Sequence, residues 1–360
     1  MAEMVWITST AELDAELKRL GNGPLCLDVE ADSFHHYPDK VCLVQLSFAG
    51  RDLLVDPLAG VDLAGLCGVL AAPQVRKILH GADYDIRVLH RDFGLELRGL
   101  FDTMVAARLV GERKFGLAAL LEQHFGIQLD KRHQRADWSR RPLPPAMREY
   151  AALDTRYLGR LAEMLEARLA ALGRREWAGE EFARLENVRW SSAAADPEAF
   201  RRVKQSAKLR PRELAVLREL YRLRDTVARR VDRPPFRVLR DEVLLMLARQ
   251  QPQEASELDE LRELPRGWTR PESARELMAA IGRGLELAED ALPRTPIKTR
   301  PRRSAAADAG LRRLRRIRDE ALTDPDLLRE APHTAPLRRL DEVHAARQPV
   351  LRWQNEEEQA

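Results

Sequence analysis

The chain has 360 residues, room for two or three domains. Hydrophobic residues make up 44% and charged residues 32%, which excludes a disordered chain. No stretch approaches the roughly 18 uncharged apolar residues of a spanning helix, and no basic segment leads into an apolar one at the start, so a cytoplasmic protein is expected.

The cysteines Cys26, Cys42 and Cys67 are odd in number and lack metal-type spacing. They read as reduced core thiols, which excludes a disulfide scaffold and a cysteine zinc site. Residues 1–200 carry 25 basic and 30 acidic side chains, whereas residues 201–360 carry 35 and 27. That asymmetry points to a nucleic-acid partner for the basic half. Most of those basic residues sit in helices beside acids, so charge alone does not decide the matter.

Residues 24–30 read as a buried strand ending in carboxylates. Residues 41–48 form a second apolar strand, and 52–56, after a Gly50-Arg51 turn, its hairpin partner. A short amphipathic segment covers 61–70. Residues 76–80 read as another strand, followed by Gly81-Ala82 and a helix over 83–93. Helical spacing recurs at 102–110 and 116–125, and one long helical pattern runs over 144–171. Hairpins followed by strand–helix alternation predict an α/β domain, a mixed sheet with flanking helices.

The strand signals stop after about residue 200. A helix is expected over 211–231, then an extended break at 233–238, because residues before proline avoid the helical region. Further helices are expected over 243–249, 256–264 and 271–292, an all-α array of domain size. Residues 293–301 read as a linker. Beyond it come a basic amphipathic helix at 311–322, short helical pieces at 324–329 and 337–345, and a polar tail.

The chemistry concentrates in four carboxylates and a tyrosine. Asp28 and Glu30 lie two apart on a strand, so both side chains leave the same face at its carboxyl end. Adjacent acids repel, and a hard divalent cation between them is the usual remedy. Asp85 falls in the first turn of the helix after His80-Gly81-Ala82. Tyr150 and Asp154 lie four apart and share a helix face. Asp102 reads as the cap of the next helix and not as a ligand. His80 reads as a structural hydrogen-bonder. His35 and His36 lie in a loop near Glu30, either exposed or touching substrate.

The order Asp-x-Glu, His-Gly-Ala-Asp-x-Asp, Tyr-x-x-x-Asp resembles the three motifs of the DEDD exonucleases, and the tyrosine that of their DEDDy branch. Residues 27–33, 80–86, 101–103, 137–143 and 148–158 extend the likeness to the ribonuclease D family. Leu220-Tyr221-Arg222, Arg233-Pro234-Pro235-Phe236-Arg237-Val238 and Asp241-Glu242-Val243-Leu244 resemble an HRDC domain. Residues 311–353 look like a second, degenerate HRDC-type module.

The resemblance implies an RNase H-like α/β exonuclease domain over 1–175, a connecting helical segment over 176–206 and an all-α HRDC domain over 207–292. It further implies a linker over 293–310, the degenerate module over 311–353 and a tail over 354–360. It implies 3′→5′ hydrolysis of RNA with a single-stranded 3′ end, such as tRNA precursors, releasing nucleoside 5′-monophosphates. Asp28, Glu30, Asp85 and Asp154 map onto the acids that hold two divalent metal ions, Mg²⁺ or Mn²⁺. Tyr150 maps onto the residue that positions the attacking water. The basic helical half is expected to supply affinity, with no membrane and no obligate protein partner. A DNA 3′→5′ exonuclease, a non-catalytic nucleic-acid-binding protein on this fold and a metal-dependent nucleotidase are the alternatives.

Overall fold

The computed structural model describes residues 3–21, 23–190 and 196–294, with 305, 308–310, 312, 313 and 316 beyond them. Strand β1 (Glu3–Ile7) and helix α1 (Thr10–Leu17) open the chain, where hydrophobic periodicity suggests neither. The signal for α1 is a capping box. The Ser9 hydroxyl accepts from the Glu12 N–H at 3.3 Å, and the Glu12 carboxylate accepts from the Ser9 N–H at 3.2 Å.

Next come β2 (Leu25–Ala31), β3 (Val41–Phe48), β4 (Arg51–Val55), α2 (Ala64–Ala71), β5 (Lys77–Leu79) and α3 (Asp83–Phe93). Then follow β6 (Leu100–Asp102), α4 (Thr103–Leu109), α5 (Leu117–Phe125), α6 (Pro145–Arg156), α7 (Leu158–Ala171) and α8 (Arg175–Glu186). The six strands form one sheet in the order β1-β4-β3-β2-β5-β6. β3 runs antiparallel to β2 and to β4, and the other three pairings are parallel. This is the mixed sheet that the strand–helix alternation predicts.

The two faces of β2 divide the labour. Leu25, Leu27 and Val29 are buried in the main core. Asp28 and Glu30 leave the opposite face, where α6 packs across β2, β3 and β4. Every residue of β3 is buried, so this strand is covered on both faces. Cys42 and Leu43 belong to a second apolar cluster with Trp138, Met147 and Tyr150 beneath α6.

The long helical pattern over 144–171 is two helices with a break at Tyr157 (φ −104°, ψ −1°). α6 lies over β3, while α7 packs on β5 and α4. A twisted sheet does not let one straight rod cover both directions. α8 rests on the same body, with Phe182 5.1 Å from the Phe101 ring.

The helical half contains α9 (Pro211–Arg230), α10 (Pro235–Val238), α11 (Asp241–Gln250), α12 (Ala255–Asp259) and α13 (Pro271–Leu285). The expected break at 233–238 holds one helical turn, because Pro235 at its start lacks only an N–H that a first turn leaves unpaired anyway. α12 and α13 are shorter than their patterns suggest. The expected helices at 324–329 and 337–345, the tail and most of 311–322 lie outside the described residues.

α9 and α13 form the spine of this domain. They come close at Gly284, where a Cβ would lie within 2.6 Å of the Val216 Cα. Gly284→Ala therefore sets overpacking, about 1–3 kcal/mol, against the gain of alanine over glycine in a helix, about 0.5–1 kcal/mol. We expect net destabilisation, read as faster amide exchange across α9 and α13 with the first domain unaffected.

Candidate active site

Asp28, Glu30, Asp85, Tyr150 and Asp154 all line one cavity of about 620 Å³. Carboxylate oxygens of Asp28, Glu30 and Asp154 lie within 4.8 Å of one another. Residues remote in sequence meet here because β2, α3 and α6 converge. The size suits a small-molecule or nucleotide-sized ligand, for which about 300–1,000 Å³ is usual.

Each element is held by particular bonds. Asp102 is 1% exposed and accepts from Gly81 N at 3.1 Å, Ala82 N at 2.8 Å, Met104 N at 2.8 Å and Val105 N at 3.0 Å. It caps α4 as expected and also ties down the turn into α3, which aims Asp85. That turn uses Gly81 at φ +75°, a left-handed conformation that side chains disfavour.

Trp138 (1% exposed) packs its ring 6.0 Å from that of Tyr150. The Trp138 segment is clamped by Arg141, whose guanidinium donates to both Asp56 carboxylate oxygens at 2.6 Å and to the Cys42 carbonyl at 2.7 Å. The supporting roles of Trp138, Arg141 and Asp56 are absent from the sequence reading. For Trp138 and Arg141 the signal is the segment 137–143, which carries the family likeness without showing what it touches.

His80 is the structural hydrogen-bonder expected. Its Nδ1 lies 2.9 Å from the Thr103 hydroxyl, which itself donates to the Leu79 carbonyl at 2.9 Å. Nδ1 is therefore the donor. Burial pushes the imidazole down to about 4, so it stays neutral. His35 and His36 do not line the cavity. His35 Nε2 bonds the Arg135 carbonyl at 3.0 Å, and His36 Nδ1 bonds Asp232 of the helical half at 2.7 Å.

No lysine or arginine among the described residues pairs with the four acids. Burial, then, is uncompensated. It pushes Asp28 up to about 7 and Asp154 to about 8, the latter helped by the Asp28 charge and opposed by a hydrogen bond from Tyr150. Glu30 and Asp85 rise well above the usual carboxylate range, through burial first and the neighbouring acids second. Tyr150 is driven upward by burial and by Asp154, so its phenol keeps its proton.

A cluster of oxygen donors that repel one another and lack a cation of their own fits hard divalent ions. Asp28, Glu30 and Asp154 have the donor type and spacing to share one, and Asp85 adds a fourth carboxylate to the same wall.

Comparisons with known proteins identify the two domains and the family. Residues 4–170 match the 3′-5′ exonuclease family model, and residues 213–281 match the HRDC domain model. Ribonuclease D of Gluconacetobacter diazotrophicus is 34% identical over 81% of this chain and 74% of its own. The chain belongs to the ribonuclease D family. Among solved structures, Escherichia coli RNase D is 31% identical with a TM-score of 0.70, covering 88% of this chain and 84% of its own. The catalytic core of RRP6 from Trypanosoma brucei is 26% identical with a TM-score of 0.66, covering 79% and 80%. As a ribonuclease D-family member the chain is a 3′→5′ exoribonuclease, and that exonuclease fold is divalent-metal dependent. No helix among the described residues is long and apolar enough to cross a membrane.

The raised carboxylates have a consequence for stability. Between the ordinary carboxylate range and about pH 8, these acids hold more protons in the metal-free native state than in the unfolded chain. Their contribution to stability therefore falls as pH rises through that window. In EDTA the melting temperature of this ribonuclease D-family chain should drop from pH 5 to 8 more steeply than that of Asp154→Asn. Mn²⁺ should restore it at pH 8 more than at pH 5, because binding displaces protons. Equal slopes for the two proteins would show that the cluster does not carry the effect.

Proposed function

We propose that Asp28, Glu30, Asp85 and Asp154 are the metal ligands of the reaction and that Tyr150 positions the attacking water. The observation that carries this reading is the convergence of all five side chains on one cavity. Two bound Mg²⁺ or Mn²⁺ ions, held by these acids, would supply Lewis acidity to the attacking water and to the leaving oxygen. The chain's part is to orient. Trp138 braces the Tyr150 ring from one side, and the His133 ring lies 5.8 Å away. The Tyr150 phenol, still protonated beside Asp154, presents its hydroxyl to orient the water. The water oxygen bonds to phosphorus, the 3′ oxygen of the preceding nucleotide departs, and a nucleoside 5′-monophosphate is released.

The substrate proposed is RNA with a single-stranded 3′ end, tRNA precursors among them. A basic helical half fits such a polyanion. The domain division at 175, 206, 292, 310 and 353 belongs to the same proposal, supported by the two family-model matches. So does a cytoplasmic setting, which fits three free thiols.

Asp28→Asn should abolish hydrolysis of 5′-labelled RNA while leaving a folded protein that still binds it. Tyr150→Phe should lower kcat by about 10²–10⁴-fold with RNA affinity unchanged, because the ring and its packing on Trp138 remain. A Tyr150→Phe protein that keeps more than about a third of its kcat would make Tyr150 structural. A ladder from DNA as rapid as that from RNA would favour the DNA exonuclease reading.

A further inference from the structure

Phe34 belongs to the loop that follows the acid-bearing strand, and it lines the mouth of the catalytic cavity. It stays 40% exposed. Phe236 belongs to α10 of the helical half and is 50% exposed. The two rings meet edge to face across the domain boundary, with centroids 6.4 Å apart and planes at 71°. A contact made only to glue two domains would bury its aromatics. This one leaves about half of each ring open to solvent.

The boundary is fastened beside them by polar bonds. His36 Nδ1 lies 2.7 Å from an Asp232 carboxylate oxygen, the Tyr37 N–H donates to the other at 3.0 Å, and the Tyr37 hydroxyl donates to Asp225. The positions of Phe34 and Phe236 are therefore set without requiring their own burial.

Positive charge continues from this pair in both directions. The Arg135 guanidinium lies 5.6 Å from the Phe34 ring centroid. Arg233 and Arg237, on either side of Phe236 in sequence, line a groove of about 550 Å³ with Trp268 and Arg270. None of Arg135, Arg233, Arg237 and Arg270 has a carboxylate partner among the described residues. Unpaired arginines interleaved with exposed aromatics suit a single strand. Its phosphates follow the charge, and its bases, each with a π-face, stack on exposed ring faces whatever the sequence.

We propose that Phe34 and Phe236 form a stacking platform shared by the two domains, which holds a base of the RNA strand upstream of its 3′ end and leads the strand into the arginine-lined groove of the helical half. The proposal rests on the reading that the 3′ end occupies the carboxylate cavity. It gives the helical half a place at the mouth of the active site in addition to general affinity.

The test uses the full chain carrying Asp28→Asn, so that RNA is bound but not cut. A 12-nucleotide RNA is prepared with one abasic nucleotide walked from the 3′ end, and Kd is measured for each. One or two positions upstream of the terminal nucleotide should lose about 5- to 150-fold in affinity, as expected for a lost base–aromatic stack. Adding Phe236→Ala or Phe236→Leu should cost intact RNA a similar factor, with no further loss at the sensitive position. Phe236→Tyr should restore it. Leu keeps apolar contact with Phe34 but has no ring face. Binding by Phe236→Leu equal to that of the parent would make the contact a domain fastening and overturn the platform. So would penalties for Phe236→Ala and the abasic site that multiply at every position. Hydrolysis of the intact RNA by the unsubstituted chain is followed in parallel. Failure of the exonuclease reading shows there, and failure of the platform shows only in the abasic scan.

Discussion

Repulsion among four carboxylates crowded on one cavity wall is the constraint on which the rest of the molecule depends. Asp28, Glu30, Asp85 and Asp154 are drawn from three elements and share no neutralising side chain among the described residues. Left to themselves they would separate or keep protons: burial raises all four, and neighbouring acids add to it at Glu30, Asp85 and Asp154. The fold opposes it with covalent and packing constraints. β2 is paired on both sides, to β3 and β5, so its two acids cannot retreat. α6 is seated over the apolar cluster of Trp138, Met147 and Tyr150, so Asp154 cannot rotate away. A wall of this kind has the donor type that hard divalent cations take.

Asp102 shows how one buried acid can serve a site without entering it. Its carboxylate accepts four backbone N–H groups, two from the turn that leads into α3 and two from the first turn of α4. Those donors suit a negative charge, because helix N-termini present unpaired N–H groups and the positive end of the dipole. The result fixes the direction of α3 and hence of Asp85. Arg141 does the equivalent for α6, through Asp56 and the Cys42 carbonyl. Both supports bridge elements far apart in sequence, which is why a local pattern shows only the cap.

The loop between β2 and β3 links chemistry to the second domain. Asp32, wholly buried, accepts from Lys40 N at 2.8 Å and Lys40 Nζ at 2.9 Å and closes the loop on itself. Its tip then carries Phe34, His36 and Tyr37 to α9 and α10. The loop that starts two residues after Glu30 is thus also the domain contact. Any shift between the two halves is felt within a few residues of Glu30.

The composition, the alternation of strands with helices and the spacing of five residues suffice to determine the domain types, the chemistry and the family from the sequence. Period two on β2 and period four on α6 are local rules, so Asp28 with Glu30 and Tyr150 with Asp154 could be paired on their faces without a structure. The capping of α4 by Asp102 is local too. What required tertiary structure was everything decided by partners remote in the chain. The strand β6 is three residues long and exists because β5 lies beside it. The helix at 144–171 splits because the sheet beneath it twists. His36, an unremarkable loop histidine in sequence, faces an aspartate 196 residues away. Trp138 and Phe236 both belong to family-like segments in sequence, yet one is sealed beneath Tyr150 and the other stands open at a domain boundary. Sequence period specifies which face a side chain leaves by; only the packed chain specifies what it meets there.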